Sequence, residues 1–313
     1  MFEEFNSLSE LMAAFPDEQT CIEYLEYKRW RNGVVSPYDA TSKVYKCKDN
    51  NYKCRNTGLY FNAKTGTLFH RSSVPLQKWY VAIWLFMTGR KGISSIQLSK
   101  CIGVTQKTAW FMLQRIRKCF GEENQKTKLK ETVEIDETFV GGKNKNRHRD
   151  KKVARCQGRS FKDKVPVFGM LQRGGRVVAK VVENTKAKTL RKEILKTIEK
   201  GSTIYSDEWN YGNLSRWYQH AYVYHCYGVY ARGNVYTNSI EGFWSILKRG
   251  IIGVYHRVSK KHLQKYVDEF VFRYNTRKLS LQNVFDYVLS NSHHRLTYKD
   301  LTYAYEKDRK SVV

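Results

Sequence analysis

The spacing of apolar positions changes period several times along the chain, and each change marks a module. From Cys21 to about Leu76 there is no helical period. The stretch "TSKVYKCKDNNYKCRNTGLYFNAKTGTLF" breaks into short runs between Asn and Gly turns, which predicts a small all-β ribbon. The run Trp79 to Met87, "WYVAIWLFM", is about half of the roughly 20 residues that a membrane-spanning helix needs, so it predicts a buried helix. In "SSIQLSKCIGVTQKTAWFMLQRIRK", Leu98, Ile102 and Val104 flank a turn at Gly103. Ala109, Met112 and Leu113 then follow at helical spacing after Thr105, a plausible N-cap. This fits a helix-turn-helix offering Gln106, Lys107 and Thr108 to a major groove, with a plain helical hairpin as the alternative.

The period becomes two at about Thr132. In "TVEIDETFVGG", Val133 and Ile135 face one way and Glu134 and Asp136 the other, as in a half-buried strand ending at a Gly-Gly turn. Lys143 to Lys152, "KNKNRHRDKK", reads either as a solvated loop or as a phosphate-contacting arm. Strands Val165 to Gln172 and Arg176 to Val182 follow, joined by a tight turn at Gly174-Gly175. Leu190, Ile194, Leu195 and Ile198 mark a helix that Gly201 breaks, and the strand "STIYSDEW" then reaches Asp207. His225, in "AYVYHCY", falls on a fifth strand beside Cys226, which reads as a buried thiol. A helix from near Asn238 buries Ile240, Phe243, Trp244 and Leu247 and leaves Asn238, Glu241, Ser245 and Lys248 on another face.

Composition changes the picture in one respect. Against 29 Asp and Glu stand 56 Lys and Arg, a formal charge of +27, in a chain too apolar at 41% to be a solvating tail. Such a balance predicts a polyanionic partner and salt-dependent binding, with nucleic acid ahead of an anionic membrane surface. The acidic N-terminus is unlike a secretory signal, and seven cysteines without framework spacing suit a reducing cytoplasm. A ribbon of this size would normally be held by two C-x2-C knuckles on zinc. Here those places read Ser36-Pro37-Tyr38-Asp39 and Cys54-Arg55-Asn56-Thr57, so the ribbon is expected to carry no zinc and to rely on its aromatics.

The order strand, strand, strand, helix, strand resembles the ribonuclease H-like fold, an α/β mixed sheet with flanking helices. In that fold Asp136 and Asp207 would sit on adjacent central strands, and a later helix would supply Glu241 as a third acid. Phosphoryl transfer on DNA needs such a set, because two Mg²⁺ ions roughly 4 Å apart require shared hard oxygen ligands. The simpler readings are strand-end turn formers for the two aspartates and a surface ion pair with Lys248 or Arg249 for Glu241. Glu134, Glu137 and Glu208 flank the proposed ligands and are expected to be solvated or to support them. His256 and His262 read as packing or DNA-backbone residues.

The blocks "VEIDETFVGG", "IYSDEWNYG" and "NVYTNSIEGFWSILKRGIIGVYHRVSKKHLQKYVDEFVFRYNTRK", after a ribbon and a helix-turn-helix, resemble bacterial DDE-type insertion-sequence transposases of the zinc-ribbon branch. The resemblance implies a metal-binding triad of Asp136, Asp207 and Glu241, with Asn238 and Lys248 accessory and Arg249 beside them on the DNA. It leaves open whether Asn238 or Glu241 completes the site. It further implies Mg²⁺ or Mn²⁺ as two ions per site, the element's own ends and target DNA as partners, a homodimer or higher oligomer on DNA, and a cytoplasmic, nucleoid-associated protein. The organisation expected is a ribbon region over residues 1–75, a helix-turn-helix over 76–125, a ribonuclease H-like catalytic domain over 130–280, and a tail over 281–313 with no functional reading. The other function classes open to the chain are a transposase-derived DNA-binding regulator and a ribonuclease H-like nuclease.

Overall fold

The computed structural model describes residues 4–121, 127–141, 148–152, 164–207, 211–223 and 232–302. In chain order the elements are α1 (Leu8–Ala14), α2 (Glu18–Arg29), β1 (Val44–Lys46), β2 (Tyr52–Cys54), β3 (Tyr60–Phe61), α3 (Leu76–Thr88), α4 (Ser95–Ile102) and α5 (Gln106–Lys118). They continue with β4 (Thr132–Val140), β5 (Val165–Gln172), β6 (Val177–Val181), α6 (Ala187–Thr197), β7 (Thr203–Ser206) and β8 (Gln219–Tyr222). Last come α7 (Asn238–Gly250), α8 (Leu263–Asn275), α9 (Leu281–Ser290) and α10 (Tyr298–Thr302). They form two units, one made of the segments up to Phe120 and from Leu279 onward, the other Gly121–Lys278.

In the first unit α3 is the buried helix that its continuous apolar run predicts, with Trp79, Tyr80, Ile83 and Phe86 all buried. The segment after Leu281 is not an appendage to this unit. Phe285 of α9 meets Phe5, Phe15 and Tyr80 at ring-centroid distances of 5.3, 6.2 and 5.2 Å, and Asp286 accepts from the Tyr24 hydroxyl and from Lys28. The two helices on either side of Gly103 form where expected. Gly103 ends α4 in the left-handed conformation at φ 60°, which a residue without Cβ adopts freely, and the Thr105 side chain accepts from the Thr108 N–H to start α5.

The ribbon is a three-stranded antiparallel sheet in the order β1-β2-β3, and Tyr52, Cys54 and Phe61 pack beneath it with Trp30, Val34 and Val44. Hydrogen bonds span the two former knuckle positions. The hydroxyls of Ser36, Ser42 and Thr57 surround the Cys54 thiol, Asn56 Nδ2 donates to Asp39 Oδ2 at 2.7 Å, and Asn56 N donates to Ser42 Oγ at 3.0 Å. One thiol and three hydroxyls are not the donor set of a closed zinc site.

The second unit is built on a five-stranded mixed sheet in the order β6-β5-β4-β7-β8. The first three strands of the chain order are antiparallel, β7 lies parallel beside β4 after the crossover through α6, and β8 extends the sheet in parallel. This is the ribonuclease H-like arrangement expected from the order of elements. One face buries Val133, Ile135, Phe168, Met170 and Val178 against Leu190 and Ile194 of α6. The other buries Val167, Leu171, Val177 and Ala179 against Ile240, Phe243, Trp244 and Leu247 of α7 and against Val267 and Phe270 of α8. Strand alternation therefore points Glu134 and Asp136 at the α7 side.

Two readings are corrected. Asp136 is not at a strand end: β4 runs on to Val140, held by its full-length pairing with β5. Nor is Glu134 solvated; it is fully buried. β8, Gln219–Tyr222, takes in Ala221 and Tyr222 from the stretch expected to form the fifth strand. His225, Cys226, Glu208 and the first half of the basic loop, residues 143–147, lie outside the described residues.

Candidate active site

The parallel register between β4 and β7 ends at the pair Ile135↔Ser206. One further step along both chains sets Asp136 beside Asp207, so the two aspartates stand at the level where β7 stops, on strands about 4.8 Å apart. Across the other edge of β4, Asp136 is paired with Gly169 of β5. That glycine makes room for α7: a Cβ there would lie 2.5 Å from Trp244 Cζ2. With the gap open, the indole lies on the sheet and its Nε1–H donates to Asp136 Oδ2 at 2.9 Å, while the Glu137 N–H donates to Oδ1 at 2.7 Å.

α7 spans Asn238–Gly250 and buries Ile240, Phe243, Trp244 and Leu247, the stripe expected. Asn238, Glu241, Lys248 and Arg249 are exposed, and Glu241 lies in the first turn, accepting from the Thr237 hydroxyl at 3.4 Å. Its N-terminus is held by Glu134, one of the acids expected to be solvated or to support the ligands. The fully buried Glu134 accepts from Ser239 N at 2.9 Å, Ser239 Oγ at 3.0 Å and Ile240 N at 3.1 Å. It thereby caps the helix from a strand and meets the positive end of the helix dipole. Arg173 Nε donates to the same carboxylate at 2.7 Å, its other nitrogens donate to the carbonyls of Asn234 and Tyr236, and its guanidinium stacks 3.6 Å from the Tyr236 ring. A buried carboxylate with four donors is paired and satisfied. The sequence places Glu134 two residues from Asp136, and so on the same strand face, but carries no sign of the helix that it caps.

The electrostatics tie the three acids together. The Asp136 carboxyl is pushed up to about 7, first by burial, next by Asp207, and to a smaller extent by Glu241, against the lowering effect of the Glu137 and Trp244 hydrogen bonds. A carboxyl raised by burial and by neighbouring acids marks negative charge gathered around Asp136, a condition that a hard divalent cation relieves. Among the described residues no three His, Cys, Asp or Glu side chains are gathered closely enough to hold a metal ion as they stand.

In the other unit, Gln106 and Lys107 are exposed at the start of α5 and Thr108 is half-buried. Gln106 Nε2 donates to Ser95 Oγ at 2.8 Å, Thr108 Oγ1 shares a 2.9 Å bond with Thr105 Oγ1, and Lys107 Nζ lies 4.9 Å over the Tyr298 ring. These three side chains are thus already braced by their own unit. No helix among the described residues is long and apolar enough to cross a membrane.

Comparison with known proteins bears chiefly on residues 128–275. Residues 128–275 match the ISXO2-like transposase domain. An uncharacterized protein in transposable element ISH50 of Halobacterium salinarum is 29% identical over 276 residues, covering 83% of this chain and 91% of that protein. The crystal structure of the Mos1 strand transfer complex aligns over 69% of this chain and 79% of its own at 11% identity, with a TM-score of 0.25, too loose to bear on the fold. The domain of residues 128–275 belongs to the ISXO2-like transposase family, in keeping with the DDE-type insertion-sequence transposases that the three sequence blocks resemble.

Proposed function

We propose that this chain is the transposase of an insertion element, which binds the ends of that element and cuts and rejoins DNA strands at a site made by Asp136, Asp207 and Glu241. The observation that carries the reading is the Asp136 carboxyl, set in register with Asp207, fixed by Trp244, and held near pH 7 by burial and by the other two acids. Asp136 and Asp207, on neighbouring strands, offer oxygens that can be shared, and Glu241, in the first turn of α7, would be the third ligand. Asn238, one turn before Glu241, is the alternative to it. Two bound Mg²⁺ or Mn²⁺ ions would supply an activated water or 3′-hydroxyl and stabilise the leaving oxygen in an in-line displacement.

The chain's own contribution is orientation. Trp244 keeps one lone pair of Asp136 committed, so the carboxylate presents a fixed edge. Glu134 keeps α7 seated, so Glu241 arrives at a fixed height above the sheet. Lys248 and Arg249 extend the exposed face of α7 with positive charge suited to a phosphodiester. The start of α5, with Gln106, Lys107 and Thr108, is the element for base edges at the ends, and two copies of the chain would hold two ends together. Duplex DNA accounts for the charge of +27. The ribbon is assigned no zinc, its hydroxyls and the Asp39–Asn56 bond standing where thiolates and metal would.

The experiment is strand cleavage and joining by purified protein on a plasmid carrying the gene's own flanks, with Mg²⁺, Mn²⁺ or EDTA. Wild type should give metal-dependent joined products that Glu241→Gln loses, and the same preparation should hold no stoichiometric zinc. Tight binding without cutting under any divalent metal would refute the enzymatic reading. Cutting that survives Glu241→Gln would move the third ligand to Asn238.

A further inference from the structure

The ribbon sheet has two unlike faces. Val44, Tyr52, Cys54 and Phe61 point inward. The opposite face carries one row across all three strands, because Tyr45 pairs with Lys53 and Lys53 pairs with Tyr60. Both tyrosines in that row stand in solvent, Tyr45 51% and Tyr60 60% exposed, and Lys53 Nζ sits 5.5 Å from the Tyr60 ring centroid. Beside them Tyr38, 45% exposed, donates its hydroxyl to the Tyr60 carbonyl at 3.3 Å. Between residues 43 and 55 the cations Lys43, Lys46, Lys48, Lys53 and Arg55 face a single acid, Asp49.

An aromatic residue on each outer strand with a cation between them, on an exposed and basic sheet, has the chemistry of a stacking platform. Strand spacing sets Tyr45 and Tyr60 about 10 Å apart across the sheet, room for two bases with a phosphate near Lys53. Bases in a duplex are already stacked on each other and present no free face, whereas unpaired bases do. We infer that the Tyr45–Lys53–Tyr60 face of the ribbon binds single-stranded DNA, the tyrosines stacking on unpaired bases and Lys53 contacting the backbone. The inference rests on the DNA-handling reading above and narrows it, giving the ribbon a strand-holding task separate from end recognition.

The test is fluorescence anisotropy with full-length protein, using labelled (dT)15 and, separately, a labelled hairpin duplex of the gene's flank. Tyr45→Ala and Tyr60→Ala should each weaken (dT)15 binding about tenfold, and together near a hundredfold, with duplex affinity held. Tyr45→Phe and Tyr60→Phe keep the rings and should bind as wild type; Tyr27→Ala, exposed elsewhere on the same unit, should change nothing. Failure of wild type to bind (dT)15, unchanged binding by the double alanine variant, or an equal loss on the duplex would each overturn the inference. Failure of wild type to bind the flank duplex, with tyrosine-dependent (dT)15 binding intact, would instead overturn the transposase reading and leave this face standing.

Discussion

Replacing Asp136 with asparagine removes a charge that the fold holds at a cost, and the size of that cost can be worked out. The carboxyl is raised from 3.8 to about 7, and at 1.36 kcal/mol per unit this is an upper figure of about 4 kcal/mol. Asp136 is half-buried, so solvent screening brings it to roughly 2 kcal/mol. The sign follows from the direction: a raised carboxyl lends stability that is fully present below the unfolded value near 4 and lost as pH rises through about 7. Wild type therefore weakens across that window and the variant does not. The amide oxygen can accept from only one of the Trp244 and Glu137 donors, which costs the variant about 1 kcal/mol at every pH where the carboxylate served both. Without divalent metal, Asp136→Asn should be more stable than wild type by about 1 kcal/mol at pH 8.5, and no more stable at pH 4.5. For a unit of this size the swing is roughly 5 °C in Tm. Thermal unfolding in EDTA at the two pH values measures it. A difference between the proteins that is the same at both would refute the reasoning.

Two further substitutions probe the frame around that carboxylate. Glu134→Ala strips the cap from α7 and leaves Arg173 without its buried partner, so it should cost about 3–5 kcal/mol in urea unfolding; a loss below about 1 kcal/mol would mean that the helix seats without it. Gly169→Ala puts a Cβ into the Trp244 ring, and a core overpacked in this way loses about 1–3 kcal/mol. It should also red-shift tryptophan emission as the indole lifts off Asp136, and an unchanged spectrum would show that the sheet, not the indole, gives way.

The parts of the molecule that were legible beforehand are those where one local pattern dominates. The α7 stripe of Ile240, Phe243, Trp244 and Leu247 and the turn at Gly103 with its Thr105 cap are local, and both formed as expected. The sheet order was legible because the strand–helix–strand crossover has a preferred hand and placement. Glu134 was not legible as a cap, since its partners Ser239 and Ile240 lie more than a hundred positions away and no local rule links them. The Gly169 gap escaped for the same reason: a glycine in a strand has no visible purpose until the ring that fills it is known. The tail was opaque because α9 has meaning only against Phe5, Phe15 and Tyr80.

Glu134 and Asp136 stand two residues apart on one strand, and each accepts from the same helix: the first from amides at the start of α7, the second from an indole that α7 brings. The two bonds act as a latch. During synthesis β4 emerges about a hundred residues before α7. The β4 face that carries Glu134 and Asp136 therefore waits for one late helix, which in seating brings donors to both carboxylates at once.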